Sequence, residues 1–410
     1  MDRLQGELKL RLDKNFARLN SEQYRITNVF RPAEYGWPGD WEGREILSLA
    51  CLEKTGRRSG LLKEIIDRLE EHTNADGYFG RIFDGITADE QQLSGTSWFL
   101  RGLCEYYELY GDQSVLARIN RITEGYIAKL TPFYLSYPLD REKSDEGGVS
   151  GSVTGRIAGG WKLSTDIGCA FIAIDGISHA YKITKNPALK EALRTAIRRF
   201  TAFDVLKAGA QTHATLTAAR GILTFYEETG DRSYFDLAVK TFDIYVDHGM
   251  TLNYENTNWF GRPKWTEPCA VVDSMMLSGK LFRMTGEERY RKLLNRIYYN
   301  ALKVEQRPNG GAGPNLCAMK ESPFIKMQGY EAFFCCTMRL SEGLAYLYAN
   351  TDLLNIWDES VPEHTEARMG YALRMKGDEI LCKTAAGAYQ PMPNMIFLTP
   401  EQCLALKAEL

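Results

Sequence analysis

The 410-residue sequence has no window of about 18 continuous apolar residues, the length that a membrane-spanning helix needs. It has no surplus of positive charge either. The 50 Lys and Arg are spread evenly against 53 Asp and Glu, for a net charge of −3, so the basic footprint of a nucleic-acid-binding protein is missing. Histidine is scarce, with five in the chain, and His72, His179, His248 and His364 show no mutual spacing that suggests a metal site. The opening segment MDRLQGELKLRLDKNF is charged and amphipathic, unlike a signal peptide or an anchor. The nine cysteines are odd in number and irregularly spaced, which reads as reduced thiols in a cytoplasm and not as a disulfide frame. What remains is ordinary globular material, 44% hydrophobic and 25% charged, enough for one large domain or two of average size. Its 22 Tyr, 18 Phe and 7 Trp suit a sugar-binding cleft, although most of them serve the core.

A recurring helix–turn–helix unit runs along the chain. Its turns are Lys54-Thr55-Gly56, Tyr110-Gly111-Asp112, Thr184-Lys185-Asn186, Thr229-Gly230-Asp231, Thr285-Gly286-Glu287 and Asn350-Thr351-Asp352. Gly or Asn there supplies the left-handed residue that ends a helix, and a neighbouring Asp or Ser caps the next. Stretches before the turns, such as TSWFLRGLCEYYELY, carry apolar residues at i, i+3, i+4 and i+7, whereas those after them are more charged. Six hairpins of an inner and an outer helix must stack to bury their faces. Closed on themselves they make a mostly α (α/α)6 toroid over residues 1–360; an open solenoid has the same local signal, and the unequal spacing, which puts long Gly-, Asn- and aromatic-rich loops at one rim, favours the toroid. Beyond about residue 365 the pattern changes to short alternating segments (MGYALRM, DEILCKTAA, NMIFLTP), so residues 361–410 are expected to form a short β-rich C-terminal remnant.

Four features carry candidate chemistry. Glu267-Pro268-Cys269 opens a helical pattern, and proline at a first helical turn fixes Glu267 and Cys269 at the positive end of the helix dipole, which favours a carboxylate and a thiolate. Cys335-Cys336 follows the aromatic run Tyr330–Phe334 and also precedes a helix. Three thiols and a carboxylate form a plausible tetrahedral zinc set. Neither spacing is a CxxC knuckle, however, and by spacing alone plain buried cysteines are the commoner case. Glu255, among Tyr254, Trp259 and Phe260, suits a general acid with a raised pKa or a solvated loop glutamate. His213, opening an inner helix, suits a sugar ligand, a cap or a core histidine.

Trp265-Thr266-Glu267-Pro268-Cys269-Ala270, followed by Phe334-Cys335-Cys336 ahead of a helix, resembles glycoside hydrolase family 127, the β-L-arabinofuranosidase family. The segments GEERYRKLLNRIYYNAL and GELKLRLDKNFARL to GDWEGREILSLA are similar to that family as well, so the likeness spans roughly residues 1–350. The resemblance implies a zinc ion held by Glu267, Cys269, Cys335 and Cys336, with Cys335 as nucleophile, Glu255 as acid/base and His213 against the sugar. It implies a carbohydrate substrate, an L-arabinofuranoside or similar sugar; the charge balance and the lack of a long apolar window already argue against nucleic acid and membrane as partners. The chain departs from the family at Gly95-Thr96, where Gly-His is frequent, in a shorter loop between Glu255 and Glu267, and in its reduced C-terminal β region.

The chemistry is coherent on physical grounds. A free thiol with a pKa of about 8.5 is mostly protonated at pH 7, and metal binding deprotonates it. A thiolate nucleophile with one carboxyl as acid and then base gives two displacements and net retention. Two other readings fit the same residues. One is a sugar epimerase or polysaccharide lyase on the same barrel, using His or Tyr. The other is a zinc-stapled, non-catalytic glycan-binding homologue.

Overall fold

The computed structural model describes residues 2–30, 36–141, 151–319, 326–327, 331–354, 365–367, 371–376, 379–383 and 389–391. Among the described residues, twelve helices reach ten residues or more. They are α1 (Asp2–Leu19), α2 (Asp40–Lys54), α3 (Gly60–His72), α4 (Glu90–Tyr110), α5 (Gln113–Ile122), α6 (Ala173–Thr184), α7 (Pro187–Thr201), α8 (Thr212–Thr229), α9 (Arg232–His248), α10 (Pro268–Thr285), α11 (Glu288–Ile297) and α12 (Cys336–Ala349). The chain divides into two compact units. One comprises Asn20–His248 with Trp259–Gly261, the other Met1–Leu19, Gly249–Asn258 and Arg262–Leu410.

In the first unit, α2, α4, α6 and α8 pack side by side in sequence order, and α3, α5, α7 and α9 each pack on the helix that precedes them. The inner helices are buried nearly all round, as α4 is from Leu93 through Tyr106, whereas α9 buries one stripe of Phe235, Ala238, Thr241, Phe242 and Tyr245. Glycine permits the close inner packing. A Cβ on Gly43 would stand 2.2 Å from the backbone nitrogen of Phe99, and one on Gly176 would stand 2.3 Å from the carbonyl oxygen of Ser97. Any side chain there forces adjacent helices apart. Asp112 and Asn186 cap α5 and α7 through their side chains.

Turns end the helices where the sequence places them. Gly111, Gly230 and Gly286 adopt φ of 66°, 71° and 72°, and Lys185 takes the same left-handed conformation without being glycine. Strands β1 (Ala88–Asp89), β2 (Val153–Ala158) and β3 (Trp161–Ser164) form a small sheet in the order β1-β3-β2 on the long loops of this unit.

In the second unit, α10 packs on α11 and on α12, and α12 packs on α1. Asn15 of α1 donates to the carbonyls of Gly310 and Thr337, both at 3.0 Å. The sixth turn, at Asn350–Asp352, ends α12 and continues as a short 3-10 turn. The helix facing α12 thus comes from the start of the chain. Strands β4 (Asn315–Leu316) and β5 (Lys326–Met327) pair antiparallel. Strands β6 (Thr365–Ala367), β7 (Tyr371–Lys376), β8 (Glu379–Lys383) and β9 (Tyr389–Pro391) form a four-stranded antiparallel sheet from the segments that alternate in sequence. The expected strand NMIFLTP lies outside the described residues, as do Tyr330 and residues 142–150.

Candidate active site and metal centre

The thiols meet at two helix starts. Glu267 is the extended residue that precedes α10, Pro268 is its first residue, and Cys269 lies in the first turn, fully buried. Proline's fixed φ suits this position, where its missing N–H would have had no partner. Cys335 precedes α12 and Cys336 begins it. The Sγ atoms of Cys269 and Cys336 are 3.6 Å apart, those of Cys335 and Cys336 3.4 Å, and all three lie within 4.8 Å of one another. A carboxylate oxygen of Glu267 lies within 4.8 Å of the Cys269 sulfur.

This set fits a thiophilic ion. Two sulfurs bound tetrahedrally at about 2.3 Å stand roughly 3.7–3.8 Å apart, close to the spacing found here. Burial, reinforced by the Cys269 and Cys335 thiols, pushes the Cys336 thiol well up, so thiolates in this place call for a cation to balance them. Of the three, Cys335 is the half-buried one, while Cys269 and Cys336 are buried. The cysteines at 51, 104, 169, 269, 317, 335 and 336 are unbridged.

Glu255 belongs to the same unit and is no solvated loop residue. Its side chain is fully buried in a tight turn in which the Thr251 N–H donates to the Glu255 carbonyl at 2.9 Å. Tyr254, the residue before it, is held at φ 66°, which is costly for a bulky side chain and typical of constrained functional loops. Asn253 Nδ2 donates to Glu255 Oε2 at 2.9 Å and Asn315 Nδ2 to Oε1 at 2.6 Å. Burial raises the Glu255 pKa to about 7, against the lowering effect of the two amides, Arg307 and Thr266. That value suits a group that must both give and take a proton near neutrality.

The turn and the metal-ligand pair are built together. Asn256 Oδ1 accepts the Glu267 N–H at 2.7 Å, and Thr266 exchanges backbone and side-chain hydrogen bonds with Asn315 at 2.8 and 2.9 Å. Sequence reasoning missed Asn253, Asn256, Asn315 and Arg307. The run NYENTNW was the available signal, since so many amides in one loop need internal partners once buried. It also missed Glu305, which is fully buried with neither carboxylate oxygen hydrogen-bonded.

His213 lies in the other unit, in the first turn of α8, buried, with its ring stacked on Trp98 at 5.8 Å between centroids. Thr217 Oγ1 is 3.2 Å from Nδ1, and an Arg44 guanidinium nitrogen is 3.5 Å from Nε2. Arg44 in turn covers the Trp98 face at 4.0 Å and pairs with Asp40 at 2.7 Å. Glu331, another carboxyl near the cysteines in sequence, is taken up by Arg18, Asn309 and Thr337.

Residues 204–349 match the family model described as beta-L-arabinofuranosidase, GH127 catalytic domain. That stretch holds His213, Glu255, Glu267, Cys269, Cys335 and Cys336. No functionally curated protein matches the chain in sequence. Among solved structures, a glycoside hydrolase is similar at 13% identity and TM-score 0.50, over 89% of this chain and 64% of that one. A GH127 beta-arabinofuranosidase is similar at 13% identity and TM-score 0.53, over 92% and 61%. Cellobiose 2-epimerase from Bacillus thermoamylovorans B4167 is similar at 11% identity and TM-score 0.56, over 85% and 100%. The chain therefore spans less than two thirds of the two glycosidases. At these identities the likeness shows the fold, the helical α/α toroid expected from the hairpin turns. No helix among the described residues is long and apolar enough to cross a membrane.

Proposed function

We propose that this chain is a retaining glycoside hydrolase that acts on a non-reducing-end L-arabinofuranoside or a similar sugar, with Cys335 as nucleophile and Glu255 as acid/base. The observation that carries the reading is the sulfur cluster at two helix starts, with Cys335 as its reachable member, inside the stretch that matches the family 127 catalytic model. Glu267, Cys269, Cys335 and Cys336 would hold zinc, whose charge keeps the Cys335 sulfur as a thiolate at neutral pH.

Cys335 Sγ attacks the anomeric carbon as the bond from that carbon to the leaving oxygen breaks. Glu255, as the carboxylic acid, gives its proton to that oxygen. In the second displacement the Glu255 carboxylate takes a proton from water, the water oxygen attacks the anomeric carbon, and the carbon–sulfur bond breaks to return the thiolate. Two inversions leave the configuration retained. The buried turn supports this double duty, because it holds one carboxyl near the midpoint of its titration at neutral pH. His213, ringed by Trp98 and Arg44, would hydrogen-bond a sugar hydroxyl. The unbridged cysteines accord with a cytoplasmic setting.

A panel of aryl glycosides that includes the β-L-arabinofuranoside, assayed with zinc-loaded protein, tests the reading. Release of the phenol from that substrate with retained configuration is expected. Bound zinc without turnover of any member would leave a glycan-binding homologue. Epimerisation of a free or reducing-end sugar that survives loss of Cys335 would replace the reading with an epimerase.

A further inference from the structure

We propose that Asn253 and Asn315 are positioning residues that clamp Glu255 from both sides and hold its carboxyl ready to alternate between acid and base. The inference rests on the reading of Glu255 as acid/base, and it goes further by assigning to this chain the residues that control that group.

The orientation of both amides is set by their other partners. Asn315 Oδ1 faces two guanidinium nitrogens of Arg307, each at 3.3 Å, and a guanidinium only donates. The oxygen of Asn315 therefore points to Arg307 and its NH2 group to Glu255, at 2.6 Å. Arg307 is itself anchored on the Pro314 carbonyl at 2.7 Å. Asn253 Oδ1 accepts from the Thr251 hydroxyl at 2.8 Å, and its Nδ2 donates to the Asn300 carbonyl at 3.2 Å, which only accepts. Its NH2 group thus faces Glu255 Oε2, at 2.9 Å. Neither amide can turn over without setting donor against donor or acceptor against acceptor, and Thr251, Asn253, Glu255, Arg307 and Asn315 are all buried.

Donors on both oxygens favour the carboxylate, whereas full burial favours the neutral acid. The two effects oppose each other on one group. Without the amides the buried carboxyl would keep its proton well above neutrality and fail as a base. Without the burial it would be ionised and fail as an acid. The other charged or titratable groups that act on Glu255 or feel it include Arg307, Glu305 and Cys317. Of these, Arg307 works in the same direction as the amides.

The test is the pH dependence of kcat/KM for the zinc-loaded full chain on an aryl glycoside, for Asn253→Ala, Asn315→Ala and the volume-preserving Asn315→Asp, with Glu255→Gln as reference. Wild type should lose activity as pH rises through about 7, and Glu255→Gln should lack that limb. Each alanine variant should move the limb up by about one unit, and lower kcat by about ten- to a hundredfold with KM little changed, as expected for one lost hydrogen bond to a charged group. Asn315→Asp should move the limb at least as far, since it replaces a donor by an acceptor. Zinc content should stay at the wild-type level in all of them. A limb that persists in Glu255→Gln overturns the acid/base reading itself. A limb that disappears in Glu255→Gln yet stays in place in the asparagine variants overturns the clamp alone.

Discussion

Asn256 Oδ1 accepts the backbone N–H of Glu267 at 2.7 Å, so the residue next to Glu255 fixes the residue that opens α10 and leads to Cys269. A fully buried amide thus ties the turn that carries Glu255, the proposed acid/base, to the helix start where Glu267 and Cys269, two of the proposed metal ligands, stand. Asn256→Ala leaves the Glu267 N–H without this partner, at a cost of about 1–3 kcal/mol. Urea unfolding of the zinc-loaded variant should show that loss, and zinc should dissociate faster in a chelator competition. Wild-type stability together with wild-type zinc release would separate the two parts of the site.

Metal content is the next expectation. Purified protein should carry about one zinc per chain, and Cys269→Ser or Cys336→Ser should lose it, because a serine hydroxyl is a poor substitute for a thiolate in a sulfur-rich set. Glu267→Gln should weaken retention first and activity as a consequence. Elemental analysis of the three variants beside wild type checks this. Absence of any thiophilic metal from the wild-type protein would contradict it.

Glu255→Gln should lower kcat/KM by about 10²–10⁴-fold on substrates with an alkoxide leaving group. The loss should be smaller for a nitrophenyl glycoside, whose leaving oxygen needs no proton. Paired assays on the two substrates read the difference directly, and an equal loss on both would remove Glu255 from the role of acid.

Glu305 offers a stability test. Its carboxyl is buried without hydrogen-bond partners, and burial, aided by the charge of Glu255, holds its pKa well above the usual range. The sign follows from proton binding. Above about pH 4.5 the unfolded chain releases this proton while the folded chain keeps it, so folding loses up to about 1.4 kcal/mol per pH unit until the folded pKa is reached. Glu305→Gln removes that slope. The variant should gain thermal stability over wild type from pH 5 to pH 8, and a difference in melting temperature that does not change with pH would show Glu305 to be paired in solution.

Local patterns carried much of this in the sequence. Helix ends were legible because Gly111, Gly230 and Gly286 supply a backbone conformation that few other residues accept. The Glu267-Pro268-Cys269 and Cys335-Cys336 pairs were legible because they adjoin strong helical periodicity, and the structure brings their sulfurs together. Asn253, Asn315 and Glu305 were not: Asn315 meets Glu255 from 60 residues along the chain, the orientation of Asn253 is set by Asn300 47 residues on, and the burial of Glu305 follows from no local period. The pairing of α12 with α1 escaped for the same reason: a hairpin rule looks forward along the chain, whereas this partner lies at the other end. His213 was legible as a helix opener, but the Trp98 and Arg44 groups around it come from two other helices.

The central claim is that Cys335 is the nucleophile. Its most direct test is the activity and zinc content of Cys335→Ser on a nitrophenyl β-L-arabinofuranoside, which removes the need for leaving-group protonation. The account predicts that turnover falls below detection even in the fraction of protein that retains zinc, because a neutral hydroxyl is a far weaker nucleophile than a metal-held thiolate. Near-wild-type turnover by Cys335→Ser would contradict it.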